Sequence, residues 1–499
     1  MIHLRVLCLA LVQVCLTVFC LAQGSHPPDL VLQGKVVGSQ HQTYIEIPFQ
    51  VPDGVHRLSV DFHYTTREER TTLDLGVADP QRFRGQSGGN KDHFTLSETD
   101  ATPSYLPGPI VPGTWKLLLA VPNIRPKVTA AYHAEVRFNS AIEDRSFTLS
   151  ALVEGTHWYR GDLHMHTAHS DGSCASQGGK RVPCPLFVTV QSAASQGLDF
   201  IAITDHNADS QYEAMRELQP YFDRLLLIPG REMTTFYGHL NVFGVTRFID
   251  YRVQPQGRDT DAIVRDALAQ GGIASVNHAA APTGEACMGC GWTPTRAVDM
   301  SKFAAVEVIN GGSGANFSSA DFWERQLGAG HRLTAIGGSD NHNGPVAQDR
   351  PGAVGWPTTV VHAKELSVAA ILAGIRSGHV FVDLTASRNR LIEMEAHSAD
   401  VSAEMGDLLR AVKGEVMELK FHVVGCSGAT VHVLIDGKEE TEHEPLPVKE
   451  EDAHAETRWT SDGGRHWIRA EVRDSSGTLM LLGNPVYVNF EQTMRQGER

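Results

Sequence analysis

Histidine and acidic side chains in this chain fall at the ends of short apolar runs, and that placement restricts the available folds more than any other feature. The first group is Gly161-Asp162-Leu163-His164-Met165-His166, followed by Thr167, Ala168, His169, Ser170, Asp171 and Gly172. On a strand, residues two apart share a face, so His164 and His166 can hold one metal ion between them. Asp171, on the turn that follows, is placed for a second. The pairing recurs as Asp340-Asn341-His342, after apolar residues 333–336 and the flexible Gly337 and Gly338. His206 ends the run 199–204, Glu232 follows 225–228, and His278 ends 273–276. Seven side chains of ligand type thus stand at strand ends, with Asp171 and His239 on adjoining segments. In βα barrels the C-terminal strand ends are where distant segments converge on an active site.

The surrounding pattern supports such a barrel. From about residue 157 strand-like runs at 159–166, 199–204, 225–228, 273–276, 305–309, 333–336 and 380–384 alternate with helical spacing. The helices are expected near 186–198, 214–218, 262–269, 322–327 and 366–375. Repeated βα units of this number favour a closed barrel over an open sheet. On either side the period drops to two. Leu58, Val60, Phe62 and Tyr64 share a strand face, and Pro52-Asp53-Gly54, Pro107-Gly108-Pro109 and Pro112-Gly113 break such runs. Residues 25–150 therefore predict a β-sandwich of jelly-roll type. Val431, Val433 and Ile435 lead into the hairpin signal Asp436-Gly437. Residues 390–490 predict a second, immunoglobulin-like β-sandwich. The barrel domain lies between, over 157–386.

At 499 residues the chain exceeds one ordinary core, in keeping with several domains. A formal net charge of −15 argues against nucleic acid as the main partner, since phosphate backbones are held by Lys and Arg. A small-molecule substrate is expected, and it can still be anionic because a metal cluster overrides the global field locally. Arg5, the apolar run 6–21 and Ala22 form a secretory signal, 1–22, cleaved after Ala22. The mature chain is then secreted or periplasmic, with no further stretch long enough to cross a membrane. Oligomeric state has no signature in the sequence. Of eight cysteines, Cys174, Cys184, Cys287, Cys290 and Cys426 remain after cleavage. Disulfides are the default for the first four in an exported protein, with a four-thiolate zinc site or free thiols as alternatives. Cys426 stands alone as a buried apolar residue.

The motifs resemble those of the polymerase and histidinol phosphatase (PHP) superfamily. They are the His-x-His pair, Asp205-His206, Gly230-Arg231-Glu232 with Gly238-His239, Asn277-His278, and Asp340-Asn341-His342, spread over 159–383. The branch most similar is that of exported carbaryl-type carbamate hydrolases, the CehA/McbA-like enzymes. The resemblance implies a distorted (β/α)7 TIM-like barrel and three divalent metal ions, zinc, manganese or iron. Carried over, His164, His166, Glu232 and Asp340 hold the first; Glu232 bridges to a second with His239 and His278; Asp171, His206 and His342 hold the third. Such ions lower the pKa of bound water towards ~7, so hydroxide at the metals is the expected nucleophile and no Ser or Cys is needed. The loop 174–185, directly after the first motif, departs from the pattern like an insertion.

Beyond the nine ligands, His169 is near enough for general acid work. Asp205, adjacent to His206, should face away and act through its neighbours. Arg231, Arg376, Asn207 and Asn310 are candidate substrate contacts, the arginines for an anionic group. Gly311-Gly312-Ser313-Gly314 is a flexible loop, because no Lys-Ser/Thr follows it. Three functions stay open: a metal-dependent phosphoesterase acting on a small phosphorylated compound, the first choice; a carboxylic or carbamic ester hydrolase on the same metals; and a non-catalytic surface- or glycan-binding protein. A phosphoesterase should show a cationic pocket built from residues such as Arg231 or Arg376, and an ester hydrolase an apolar wall.

Overall fold

The computed structural model describes residues 27–89, 91–139, 150–285, 287–312, 317–345, 350–398, 401–440 and 444–491. The expected signal peptide lies outside them, as do Ser313 and Gly314. The chain divides into two compact units, Met1–Leu96 with Pro109–Ala141, and Ser97–Gly108 with Ile142–Arg499. No helix among the described residues is long and apolar enough to cross a membrane.

The first unit is built on eight strands: β1 (Leu30–Val37), β2 (Tyr44–Val51), β3 (Arg57–Tyr64), β4 (Thr72–Ala78), β5 (Phe83–Gln86), β6 (His93–Ser97), β7 (Gly113–Asn123) and β8 (Thr129–Asn139). They form two four-stranded sheets ordered β1-β8-β3-β6 and β2-β7-β4-β5. That is the strand order of a jelly roll, in which neighbours in sequence mostly fall in opposite sheets. Alternation decides what is buried: Leu58, Val60 and Phe62 of β3 are buried, while Ser59 and Asp61 between them are not. Trp115 of β7 is fully buried, its indole N–H donating to the Val111 carbonyl at 2.8 Å. Over its ring lies the buried guanidinium of Arg84, paired with Asp79 at 3.1 Å.

The second unit carries a closed barrel. Its strands are β9 (Glu154–Asp162), then a small hairpin of β10 (Ser173–Ala175) and β11 (Arg181–Pro183), β12 (Phe200–Ile203), β13 (Leu226–Thr235), β14 (Gly238–Phe243), β15 (Ile273–Val276), β16 (Ala305–Asn310), the short β17 (Phe317–Ser318), β18 (Thr334–Gly338), β19 (Thr358–Glu365) and β20 (Val380–Asp383). Parallel ladders join β9 to β12, β12 to β13, β15 to β16 and β16 to β18. Antiparallel β14 is inserted between β13 and β15. Antiparallel β19 pairs with both β9 and β20, so β20 runs in the sense of β9. Short apolar strands buried on both faces suit this arrangement: Phe200 and Ala202 of β12 enter one hydrophobic cluster, Ile201 and Ile203 another.

Five α-helices are present among the described residues: α1 (Leu186–Ser195), α2 (Gln211–Leu218), α3 (Thr260–Ala269), α4 (Ala320–Gly328) and α5 (Val368–Ser377). Five helices among the described residues fall short of the seven-helix (β/α)7 repeat that the resemblance implied. Two connections show no α-helix among their described residues: 277–285 with 287–304 holds a 3-10 turn, Met300–Lys302, and 339–345 with 350–357 is irregular before β19. Both are dense in helix breakers, Pro282, Gly284, Gly289, Gly291 and Pro294 in one and Gly344, Pro345, Pro351, Gly352, Gly355 and Pro357 in the other. Helix formation is abandoned where the chain must instead carry His278, Asp340 and His342.

Beyond β20, strands Val401–Glu404, Leu391–Ser398, Val416–Val424 and Asp452–Thr460 make one antiparallel sheet in that order. Strands Thr430–Ile435, His466–Arg473 and Leu479–Gly483 form a second, which continues the barrel because Leu479–Gly483 pairs with β20. Asn484, fully buried, closes the seam between β18 and β20: its Oδ1 accepts from Ala335 N at 2.7 Å, and its Nδ2 donates to Ala335 O at 3.0 Å and Val380 O at 2.8 Å. Asn484→Ala leaves three buried backbone groups unpaired and should cost at least about 2 kcal/mol. Urea unfolding checks this, and an unchanged midpoint would remove Asn484 from the closure.

Candidate metal centre

The site begins with one buried carboxylate. Asp162, at the end of β9, accepts from the backbone N–H of His164 at 3.1 Å and of Ser339 at 3.0 Å through Oδ1, and from Gly355 N at 2.7 Å through Oδ2. Burial pushes its carboxyl up to about 6. This ties the tip of β9 to the loop after β18. Asp340 N donates to His164 O at 2.8 Å and His166 N to Asn341 O at 2.9 Å, so the two sequence motifs pair side by side. Asp340 (φ 51°) and His278 (φ 26°) hold left-handed backbone conformations without being glycine. Such strain persists where surrounding bonds over-determine the backbone, and is concentrated at functional sites.

All nine side chains taken as ligands meet at this end of the barrel. Glu232 of β13 stands at their middle. Its Oε2 lies 3.4 Å from His164 Nε2, 3.6 Å from His166 Nε2 and 2.8 Å from His206 Nδ1; its Oε1 lies 3.2 Å from His239 Nδ1 and 3.3 Å from His278 Nε2. Asp340 Oδ1 is 3.1 Å from His166 Nε2, 3.4 Å from His164 Nε2 and 3.5 Å from His342 Nδ1. Asp171, 60% exposed, reaches His342 Nε2 at 3.4 Å and His206 Nε2 at 3.6 Å. Ligand atoms group within metal-holding distance in three overlapping sets: His164, Glu232 and His278; His164, His166 and Asp340; His166, Asp171, His206 and His342. His239 stands outside these sets but against Glu232.

A further shell orients the rings. Glu307 of β16, unforeseen from the sequence, is buried; its Oε1 accepts from His164 Nδ1 at 2.9 Å and its Oε2 from His278 N at 3.1 Å and Asn310 Nδ2 at 3.2 Å. A lone carboxylate inside the apolar run Ala305-Val306-Glu307-Val308-Ile309 was the available signal. The register against β18 shifts between Glu307 and Ile309, as bulges beside functional sites do to re-aim a side chain. Asn277 Nδ2 donates to Glu232 Oε1 at 2.9 Å, and His278 Nδ1 donates to Cys290 O at 2.9 Å, leaving Nε2 turned to Glu232. Outer acceptors of this kind fix the tautomer of a ligating histidine. Asp205 faces away from the cluster and accepts from Thr167 N, Thr167 Oγ1 and Ser170 Oγ at 2.6–2.7 Å, holding the loop on which Asp171 sits.

The remaining candidates divide. Asn310 is at the site, its Nδ2 3.3 Å from Asp340 Oδ2. Asn207 spends its amide on the backbone of Thr234, at 3.0 Å in both directions. His169 is half-buried with Nδ1 2.8 Å from Ser210 Oγ. The arginines do not form an anion pocket here. Strand alternation turns Arg231 away from Glu232, and its buried guanidinium lies over Tyr212 and donates to Tyr212 OH and Thr246 O at 3.4 Å. Arg376 on α5 donates to the Gly271 and Gly272 carbonyls behind α3. Cys174 pairs with Cys184 across the β10–β11 hairpin, and Cys287 with Cys290. Cys426 is free and buried, its thiol pushed up by burial to about 11.

The donor set fits divalent ions. His164 Nε2, His166 Nδ1, Glu232 Oε2 and both ring nitrogens of His239 are buried without a hydrogen-bond partner; the 2.8 Å approach of His206 to Glu232 lacks the direction of a hydrogen bond, His206 Nδ1 bonding Thr234 Oγ1 at 2.6 Å instead. Orphaned buried polar atoms are costly unless something binds them. Imidazole and carboxylate together suit zinc, manganese or iron. Without ions, burial opposes charge on His164, but Asp340, Glu307 and Glu232 outweigh it and hold the ring well above its ordinary range. Burial likewise lowers His278, yet Glu232 raises it to about 9. His206 is raised by Glu232 and Asp171 against burial, whereas burial beside His342 and His206 lowers His166 to about 4. Glu232 and Asp340 are held well below the usual carboxylate range by the histidines, again against burial.

The chain matches no family model and no curated protein. Among solved structures it is similar to a two-domain protein of Bacteroides vulgatus containing a predicted PHP-like metal-dependent phosphoesterase, at 18% identity over 68% of this chain and 97% of that one, with a TM-score of 0.35. It is also similar to the CARDB domain of a Pyrococcus furiosus protein (19% identity, 20% and 95% coverage, TM-score 0.14) and to the mitogen of Yersinia pseudotuberculosis (14%, 24% and 92%, TM-score 0.14). Likenesses this loose carry neither structure nor function across.

Two outcomes are expected. Glu307→Gln should weaken metal binding about 10–100-fold, the usual worth of an outer carboxylate. Competition with a chelating dye measures it, and unchanged affinity would leave Glu307 a packing residue. Because His164 and His278 hold protons at neutrality in the metal-free chain and must lose them to ligate, zinc titration at pH 7 should release protons. Calorimetric heats should then vary with buffer, and affinity should fall as pH is lowered from 8 to 6. Buffer-independent heats would contradict the protonation pattern.

Proposed function

We propose that this protein is a metal-dependent hydrolase of PHP type, holding three divalent ions at the mouth of its barrel. The observation that carries this reading is Glu232, whose two oxygens stand within 3.6 Å of five histidines from four different segments. In it, His164, His166, Glu232 and Asp340 hold the first ion, Glu232 with His239 and His278 the second, and Asp171, His206 and His342 the third. Ions bound there supply Lewis acidity and ionise water at neutral pH, with Asp340 and Glu232 kept anionic to balance them. Asn310 and Glu307 keep the Asp340 and His164 side chains in place. His169, on the loop between His166 and Asp171, is assigned to proton transfer to the leaving group. Residues 1–22 and the two disulfides support a site of action outside the cytoplasm, where disulfides persist.

The first substrate class is a small phosphorylated compound, since a cluster of this composition suits in-line displacement at phosphorus. A second class, carboxylic or carbamic esters, is favoured by one feature of the rim. Both expected anion-binding arginines are turned away, and Phe236, 70% exposed, and Met288, 54% exposed, stand on the loops that carry His239 and His278. Those loops pack closely: Gly289 (φ 84°) lies so near Thr235 that a Cβ would overlap its carbonyl.

The test is metal analysis of the mature protein beside turnover of p-nitrophenyl phosphate, bis-p-nitrophenyl phosphate and an aryl carbamate. About three metals per chain at the barrel mouth and phosphoester turnover are expected, turnover falling about a thousandfold in His166→Ala with the loss of several kcal/mol of charge stabilisation. Turnover of the carbamate alone selects the second class. Absence of metal would overturn the hydrolase reading.

A further inference from the structure

On the far side of the C-terminal sheet from its core, three residues stand in one cross-strand row: Glu393 opposite His422, and His422 opposite His454. Asp452 lies two residues before His454 and so shares its face. The imidazoles of His422 and His454 stack with ring centroids 4.6 Å apart and planes 11° from parallel. Nε2 of His422 is 2.9 Å from Asp452 Oδ1, and its Nδ1 is 2.8 Å from Glu393 Oε2. Glu393 is itself fixed, its Oε1 accepting from the indole N–H of Trp158 at 2.7 Å.

This is more order than a surface ion pair needs. One nitrogen of His422 is committed to a carboxylate that a tryptophan holds still, the outer arrangement that aims a histidine at a metal. The other faces Asp452, and His454 makes no hydrogen bond among the described residues. One ligand atom from each of His422, Asp452 and His454 lies within 4.8 Å of the others. Two imidazoles and one carboxylate with a side open to water is a donor set for zinc or a similar transition ion, and too nitrogen-rich for calcium or magnesium.

We propose that His422, Asp452 and His454 form a second metal site, separate from the barrel centre, that takes one divalent transition ion with Glu393 as its orienting carboxylate. The strand Asp452–Thr460 is at the edge of its sheet, so the ion ties an otherwise one-sided strand to Val416–Val424. The site owes nothing to the hydrolase reading and stands if that reading falls.

Full-length protein is equilibrated with zinc chloride at buffered free zinc and the bound metal counted, for the natural chain, His454→Ala, Asp452→Asn and the control His397→Ala. His397 lies on the same sheet, outside the row, with its Nε2 3.0 Å from Glu395 Oε2 and Glu418 opposite it on the next strand. The first two variants should each bind one zinc fewer per chain than the natural protein and the control, whatever number the barrel holds. They should also lose the part of the zinc-induced rise in melting temperature that the control keeps. Both positions are exposed, so unfolding without zinc should be unchanged and shows the variants are folded. Equal zinc counts in all four proteins would overturn the proposal and leave the row a hydrogen-bonded ion network.

Discussion

Everything at the barrel mouth depends on keeping charge out of water. Glu232 is buried, and an isolated buried carboxylate would neutralise itself rather than stay ionised. Here burial does push it towards the neutral acid, but His164, His206 and His239 outweigh burial and hold it anionic. The converse holds for His164, charged in the metal-free chain because three carboxylates surround it. The cluster is thus a lattice of mutually necessary charges, and removing one partner strands another. A buried group of this kind is weak evidence for stability, since well-packed apolar residues do as well or better. Its retention at the open end of a barrel is explained by something that must bind there.

That lattice explains the loops around it. Segments 277–304 and 339–357 give up helix formation to deliver His278, Asp340 and His342, and each is braced from outside. The Cys287–Cys290 bridge closes the short loop whose Cys290 carbonyl fixes the His278 ring. The Cys174–Cys184 bridge closes the β10–β11 hairpin, where Ser173 N donates to His342 O at 2.8 Å and Cys184 O accepts from Ala168 N at 2.8 Å. Each bridge adds a covalent tie to a ligand loop otherwise held by hydrogen bonds and packing. The C-terminal strands brace the opposite face: β20 pairs with Leu479–Gly483, and Asn484 stitches β18 to β20.

Much of this was legible because strand periodicity and ligand chemistry are local. The five helices lie where helical spacing placed them, and the seven strand runs expected for the barrel each overlap a strand, although the first strand ends at Asp162, before His164 and His166. The nine ligand-type side chains converge because strand ends are marked by a switch from apolar to polar residues. What escaped was non-local. β14 opens on Gly238-His239 and β19 carries no motif of its own, and nothing in either strand announces that it runs backwards to its neighbour. The missing helices followed from Pro and Gly in two connections, a signal that was present but overridden by the family pattern. Glu307 escaped because one acid in an apolar strand looks like a surface position until the partner strand is known. Arg231 misled because proximity to Glu232 in sequence means opposite faces on a strand.

The orientation of Arg231 also bears on chemistry. Phosphoryl transfer draws negative charge onto oxygens, and metal ions alone can hold it, but a guanidinium adds bidentate recognition. With Arg231 turned to Tyr212 and Arg376 to the carbonyls behind α3, neither arginine is available at this mouth, and on the proposed reading a phosphoryl group would have to be held by bound metal ions. Selectivity must then come from shape and apolar contact at the rim, where Phe236 and Met288 stand exposed beside two ligand loops. A site of that kind discriminates weakly between the charges of two esters and more strongly between the bulk of their leaving groups, since each buried methylene is worth about 0.8 kcal/mol. On the proposed hydrolase reading, leaving-group size, more than phosphorus against carbon, is therefore the axis along which such a rim would choose.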